Sequence, residues 1–229
     1  MSPAANLAKR SEKGLLTPEN CVVAFIDLQP RMLAGVVNFD RRAVLNNNLM
    51  LAKAACLFGI PALLSCLDTP RDPADLAAPL QALFPIQPWL MRSSMNSWDD
   101  PPFVDAVVGT GRGKLILAGL WTETSVALPA IQAIEDGYDV YVAEDCCGDI
   151  SALAHENAMQ RMIQAGARPV TAMSVMLEWQ RDWALLDTSE AVRAIARAHS
   201  GVHGTAVDYA HAAPPKAPQP VFPGYVAQG

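Results

Sequence analysis

Positive charge is in short supply along this 229-residue chain: 17 lysines and arginines stand against 23 aspartates and glutamates, a formal net charge of −6. The basic residues are scattered rather than striped, which argues against capture of nucleic acid or of an anionic membrane surface. Long hydrophobic runs are missing too. No apolar stretch reaches the ~20 residues that span a bilayer, and MSPAANLAKRSEKGLLTPEN lacks the charged, apolar, small-residue order of a secretory leader. A cytoplasmic protein is expected. Cysteine supplies no framework, because Cys21, Cys56, Cys66, Cys146 and Cys147 are odd in number and form no CxxC. They read as reduced thiols in apolar strands and helices. Of the histidines, only His199 and His203 make an HxxxH pair, and Gly201 between them weakens any helix that would present both. Neither a metal nor a cofactor is expected.

What is present is apolar patterning, with 51% hydrophobic residues, enough for a substantial core. Short apolar runs alternate with longer segments of helical period, the pattern of βαβ units. Strands are expected at 21–27, 61–67, 86–91, 114–119, 139–145 and 167–171, and helices at 41–59, 99–111, 122–137 and 150–166. Because the strands lack polar alternation, both sheet faces should be covered by helices. The expected fold class is α/β: a three-layer α/β/α sandwich, Rossmann-like, on a six-stranded mostly parallel sheet. SVMLEWQRDWALL and SEAVRAIARAH predict two further helices. The division drawn from sequence is a domain over 1–187, followed by a C-terminal helix and a Pro/Ala-rich tail over 188–229. Phe222, Tyr225 and Val226 in that tail leave open disorder or an arm laid over a second subunit.

In open α/β sheets ligands bind outside the carboxyl ends of the strands. Polar residues at those ends are Asp27, Asp68, Arg92, the WTETS run at 121–125 and Asp145. Asp27 closes an unbroken apolar strand, where a carboxylate can serve as acid or base; a helix or loop cap is the alternative. Asp68, in DTPRDP, reads as a turn former, and Asp145 as a tie for a loop over the site. Arg92 can neutralise Asp27 or hold a substrate oxygen, against a surface pairing with Asp99 or Asp100. Asn96, Trp98 and Trp121 are expected to wall a small pocket. The turn after Gly119 aims backbone N–H groups at the crevice, as an oxyanion requires, with Trp121 and Ser125 as donors. Thr122 and Thr124 are ready cap residues, so Ser125 is either a first-turn hydroxyl or a reactive one. No GxSxG elbow is present, and no histidine sits at an obvious strand end.

The ordered set AFIDLQP, RSSMNSWDDPPFVDAV, LILAGLWTETSVALPAIQAIEDGYDVYVAED, RMIQAGARPV and Glu178 to Trp183 resembles the isochorismatase-like (cysteine hydrolase) superfamily, and within it the YcaC-like hydrolases. The resemblance covers residues 20 to 185. It implies hydrolysis of a C–N bond in a small amide-like substrate by an Asp, a cation and a Cys, without a metal. These fall at Asp27, Arg92 and Ser125, with a cis peptide at Leu120–Trp121. It also implies ring-based homo-oligomers, commonly octamers. Serine stands where the resemblance expects cysteine. Three readings of that serine compete: a Cys→Ser substitution that traps a complex, a natural variant that has lost hydrolysis or does other chemistry, and a slow serine nucleophile. Two further functions stay open: a catalytically silent small-molecule binder, and an acid-catalysed vinyl-ether hydrolase that needs Asp27 but no nucleophile.

Overall fold

The computed structural model describes residues 14–201. The tail residues Phe222, Tyr225 and Val226, together with His203 and His211, lie outside the described residues. Strands β1 (Cys21–Ile26), β2 (Ala62–Leu67), β3 (Trp89–Arg92), β4 (Lys114–Gly119), β5 (Asp139–Ala143) and β6 (Arg168–Val170) form one sheet. Its order is β3-β2-β1-β4-β5-β6 and every pairing is parallel. The order reverses between β1 and β4, so connections leave those two strands toward opposite sides and open a crevice at their carboxyl ends.

The side-chain period of two sorts β1 between two cores. Val23 and Phe25 join one cluster, while Val22, Ala24 and Ile26 join the other. The first face is covered by α2 (Arg41–Phe58), α7 (Ala172–Gln180) and α8 (Leu186–His199), through Val44, Leu51, Val175, Met176 and Val192. The second is covered by α4 (Pro101–Gly109), α5 (Ala127–Glu135) and α6 (Ala152–Ala165), through Phe103, Val107, Ala130, Met159 and Met162. Short helices α1 (Pro30–Ala34) and α3 (Ala78–Gln81) follow β1 and precede β3. Local chemistry sets several boundaries. Asp40 caps α2 by accepting from Ala43 N–H, and Gly59 ends it in the left-handed region at φ 64°. Ser151 and Gly166 do the same for α6.

Four expectations shift. β3 begins at Trp89 rather than residue 86, because Pro85 and Pro88 supply no N–H to a ladder. The helix expected from residue 122 opens as a π turn, Thr122–Val126, before α5. That expected from 99 begins at Pro101, after a 3₁₀ turn over Ser97–Asp99. SVMLEWQRDWALL is not one helix: α7 stops at Gln180, where Arg181 takes φ 57°, and α8 starts at Leu186. The division drawn at 187/188 therefore falls inside α8, whose Ser189, Val192 and Ala196 are buried. No described helix is long and apolar enough to cross a membrane.

Candidate active site

The crevice is built around Asp27, one residue past β1. Its backbone is left-handed, φ 53°, a conformation that Asp tolerates better than branched residues do. The turn is held by Asp27 N–H donating to Ser65 O at 2.8 Å and Gln29 N–H donating to Asp27 O at 2.7 Å. This aims the carboxylate along the carboxyl end of the sheet, where three strands supply its partners. Leu67 N–H, ending β2, donates to Oδ1 at 2.6 Å. Arg92, ending β3, grips both oxygens, Nη1 to Oδ1 at 2.9 Å and Nη2 to Oδ2 at 2.6 Å. Ser125, beyond β4, donates its hydroxyl to Oδ2 at 2.7 Å. Asp27, Arg92 and Ser125 are 1%, 4% and 2% exposed, so bulk water does not screen these contacts. Arg92 Nη1 also reaches Ser65 Oγ at 3.0 Å. Of the alternatives drawn for Arg92, the pairing with Asp27 is the one present.

Ser125 reaches that carboxylate because β4 runs unusually close to β1. Gly119 pairs with Ile26, and a Cβ built on Gly119 would lie 2.1 Å from Ile26 O. Only glycine permits that approach. Leu120 N–H then donates to Ile26 O at 3.0 Å, and the Leu120–Trp121 peptide is cis. The following turn is tied down from beneath. Thr122 N–H and hydroxyl both meet Gly148 O, at 3.0 and 3.1 Å, and the buried Asp149 accepts Glu123 N–H at 2.9 Å. Thr122 also lies 2.8 Å from Nδ1 of the buried His155. Thr122 and Thr124 thus do not cap the helix as expected; one anchors the turn and the other lines the pocket.

The pocket in front of Ser125 is about 280 Å³, lined by Arg31, Met32, Leu67, Asp72, Met95, Trp121, Thr124 and Ser125. Trp121 is fixed as a wall by its indole N–H donating to Met32 O at 3.1 Å. Trp98 and Asn96 do not line it. Trp98 is buried in the α4–α5–α6 core, stacked edge-on with Phe103 and Tyr138 and donating to Asp136. Asn96 caps the 3₁₀ turn at Trp98 N–H and contacts Gln132. Both belong to the structure behind the site, because their side chains satisfy backbone and helix partners there. Asp68 forms its turn as expected, accepting Ala74 N–H at 2.8 Å. Asp145 ties β5 to α7 through Ala172 N–H instead of covering the pocket, and burial pushes its carboxyl up.

No cysteine lines the pocket. Cys21, Cys66, Cys146 and Cys147 are buried and Cys56 is exposed, all free thiols as expected. Burial, reinforced by the negative Asp27, pushes Cys66 up to about 12, and burial takes Cys147 to about 12 despite a backbone hydrogen bond. Such thiols are inert. A larger cavity of about 680 Å³, bordered by Asn46, Asp145 and His199, lies apart from Asp27 and Ser125. His199 there bonds Asn46 and Lys53.

Residues 21–174 match the isochorismatase domain. The chain belongs to the isochorismatase family. This isochorismatase-family chain is 36% identical over 169 residues to the probable hydrolase YcaC of Escherichia coli K12, covering 73% of this chain and 81% of that protein. In three dimensions it resembles YcaC from Pseudomonas aeruginosa, a structure with hexane-2,5-diol and covalent acrylamide, at TM-score 0.81 and 33% identity, over 86% of this chain and 98% of the other. It resembles E. coli YcaC, an octameric hydrolase of unknown specificity, at TM-score 0.80 and 32% identity, over 87% and 98%. It is thus a YcaC-like member of a hydrolase family. Sequence reasoning missed Arg31, Met32, Leu67, Asp72 and Met95 as pocket walls, while Thr124 lies in the WTETS run it singled out. Of those missed, only Arg31 and Asp72 carried a signal, as charges just beyond two strand ends.

Proposed function

We propose that this protein hydrolyses the C–N bond of a small uncharged or weakly polar amide, with Asp27 as the proton-transfer group, Arg92 as its electrostatic partner and position 125 as the nucleophile. The observation that carries the reading is the 2.7 Å hydrogen bond to the buried Asp27 Oδ2 from Oγ of Ser125, which lines the pocket. Asp27 takes the proton of the nucleophile, whose oxygen bonds to the carbonyl carbon. The C–N bond then breaks and the amine leaves with that proton. Water, deprotonated by Asp27, releases the acid from the acyl-enzyme. Trp121 N–H has no acceptor among the described residues, which suits it, with Ser125 N–H, to receive the carbonyl oxygen.

A serine hydroxyl yields its proton far less readily than a thiol, so slow turnover is expected of this chain. The test compares native protein, Ser125→Cys and Ser125→Ala on short primary amides, with thiol alkylation as a second readout. Ser125→Cys should gain at least ~100-fold in rate, and its new thiol should react at neutral pH while the buried cysteines do not. A Ser125→Cys variant that neither turns over amides nor alkylates faster than Cys56 rejects the assignment. The serine itself favours a second reading, a binder without turnover, which saturable amide binding with no gain from Ser125→Cys would support. Vinyl-ether hydrolysis that survives Ser125→Ala and is lost in Asp27→Asn would replace both.

Self-association belongs to the same proposal. E. coli YcaC is an octamer, and Ile86, Trp183, Leu185 and Leu186 are exposed here. A monomer by sedimentation at micromolar concentration would reject it.

A further inference from the structure

The pocket's charges are already matched before any substrate enters. Behind its Ser125, which donates to Asp27, Asp27 and Arg92 form a two-bond ion pair, both side chains 1% exposed. At its wall Arg31 Nη1 lies 3.2 Å from Asp72 Oδ1, while Nη2 donates to Asp72 O at 3.1 Å. Nη2 also lies 3.5 Å from Leu67 O. Asp72 is held in place by its turn: its N–H donates to Thr69 O and to Thr69 Oγ1, both at 3.0 Å, and its carbonyl accepts Thr69 N–H at 2.9 Å. Of the remaining walls, Met32, Leu67, Met95 and Trp121 present mostly apolar surface, and Thr124 and Ser125 add two uncharged hydroxyls.

We propose that the Arg31–Asp72 pair makes this pocket select uncharged substrates, with Asp72 denying Arg31 to any ligand carboxylate. The proposal rests on the amide reading of the site and names its substrate class: compact primary amides carrying an aliphatic group. At about 280 Å³ the cavity suits a compact ligand. A carboxylate entering it would have to displace Asp72 from Arg31 or lie beside it as a like charge. An ammonium would face Arg31 with Asp72 already engaged. Asp68, at the start of the same turn, is a further carboxylate, already engaged by Ala74 N–H. An aliphatic chain buries apolar surface against the methionines and Trp121 at no electrostatic cost. The arrangement gives specificity by repulsion as much as by attraction.

The experiment is equilibrium binding by calorimetry at low salt, with three probes of one size: hexanamide, glutaramate (the monoamide bearing a distal carboxylate) and 5-aminopentanamide. On the native protein hexanamide should bind roughly fivefold more tightly than either charged probe. Asp72→Asn keeps the turn's backbone bonds, including Arg31 Nη2 to the residue 72 carbonyl, and removes the charge that neutralises Arg31, so glutaramate should gain roughly fivefold, and the gain should shrink with added salt. Arg31→Gln in the Asp72→Asn background should abolish the gain. Thermal melts confirm that each variant folds. Native protein that binds glutaramate as well as hexanamide, that binds none of the three, or whose preference is unmoved by Asp72→Asn overturns the proposal. Because the readout is binding, it is separable from hydrolysis. Charge selection with an inactive Ser125→Cys leaves this inference standing and removes the amidase, while an active Ser125→Cys indifferent to charge does the reverse.

Discussion

The carboxyl ends of β1 and β4 and the outer edge at β5 and β6 belong to one sheet but obey different rules. At the outer edge the helices start on ordinary caps, and the one non-glycine residue at positive φ, Arg181, only ends α7. α6 starts on Ser151 and stops on Gly166, and α7 opens with a capping box in which Thr171 and Ser174 exchange side-chain bonds with each other's N–H. The ion pair there, Arg168 to Asp139, is half exposed. At the β1–β4 end Asp27 is left-handed, Gly119 sits where no Cβ fits and the helix begins as a π turn. There too an ion pair is fully buried. Departures from local preference gather where side chains from several strand ends must meet at one carboxylate, as expected of a functional site.

The largest expected break is Arg92→Met. It leaves Asp27 buried without its cation and should cost about 3–5 kcal/mol in urea unfolding, whereas Arg168→Ala at the exposed edge should cost no more than about 1 kcal/mol. Equal losses would mean that burial does not distinguish the two ion pairs. Next comes Gly119→Ala. Its Cβ meets Ile26 O, so β4 must move from β1, and a loss of about 3 kcal/mol is expected. The same shift should weaken probe binding in the pocket, because the Ser125 turn hangs from that contact. The smallest is Thr171→Ala, which removes one cap for about 1 kcal/mol and should leave probe affinity unchanged. An affinity change there would show that the outer edge and the site are coupled.

What is legible in the sequence follows the same division. β1, β2, β4 and β5 are readable because a short unbroken apolar run between turn residues fits a strand buried on both faces, and Gly59 and Gly166 mark helix ends by their φ requirement. Asp27, Arg92 and Ser125 are readable as strand-end residues and by family resemblance. The place of Trp98 and Asn96 behind the pocket is not legible locally, because sequence alone does not say that the 3₁₀ turn aims Trp98 at Asp136 and Asn96 at its own backbone. Thr122 looked like a cap because cap and anchor use the same hydroxyl; Gly148, which it binds, is 26 residues away.

By itself the amino-acid sequence determined the layer architecture, the parallel sheet and the strand ends to which chemistry is confined, because hydrophobic period and glycine position are local properties. Only the tertiary structure decided which charges meet. Leu67 N–H, Arg92 and Ser125 converge on Asp27 from separations of 40, 65 and 98 residues, and Arg31 finds Asp72 across 41. Such contacts depend on strand order and on the close approach at Gly119, which no local pattern encodes.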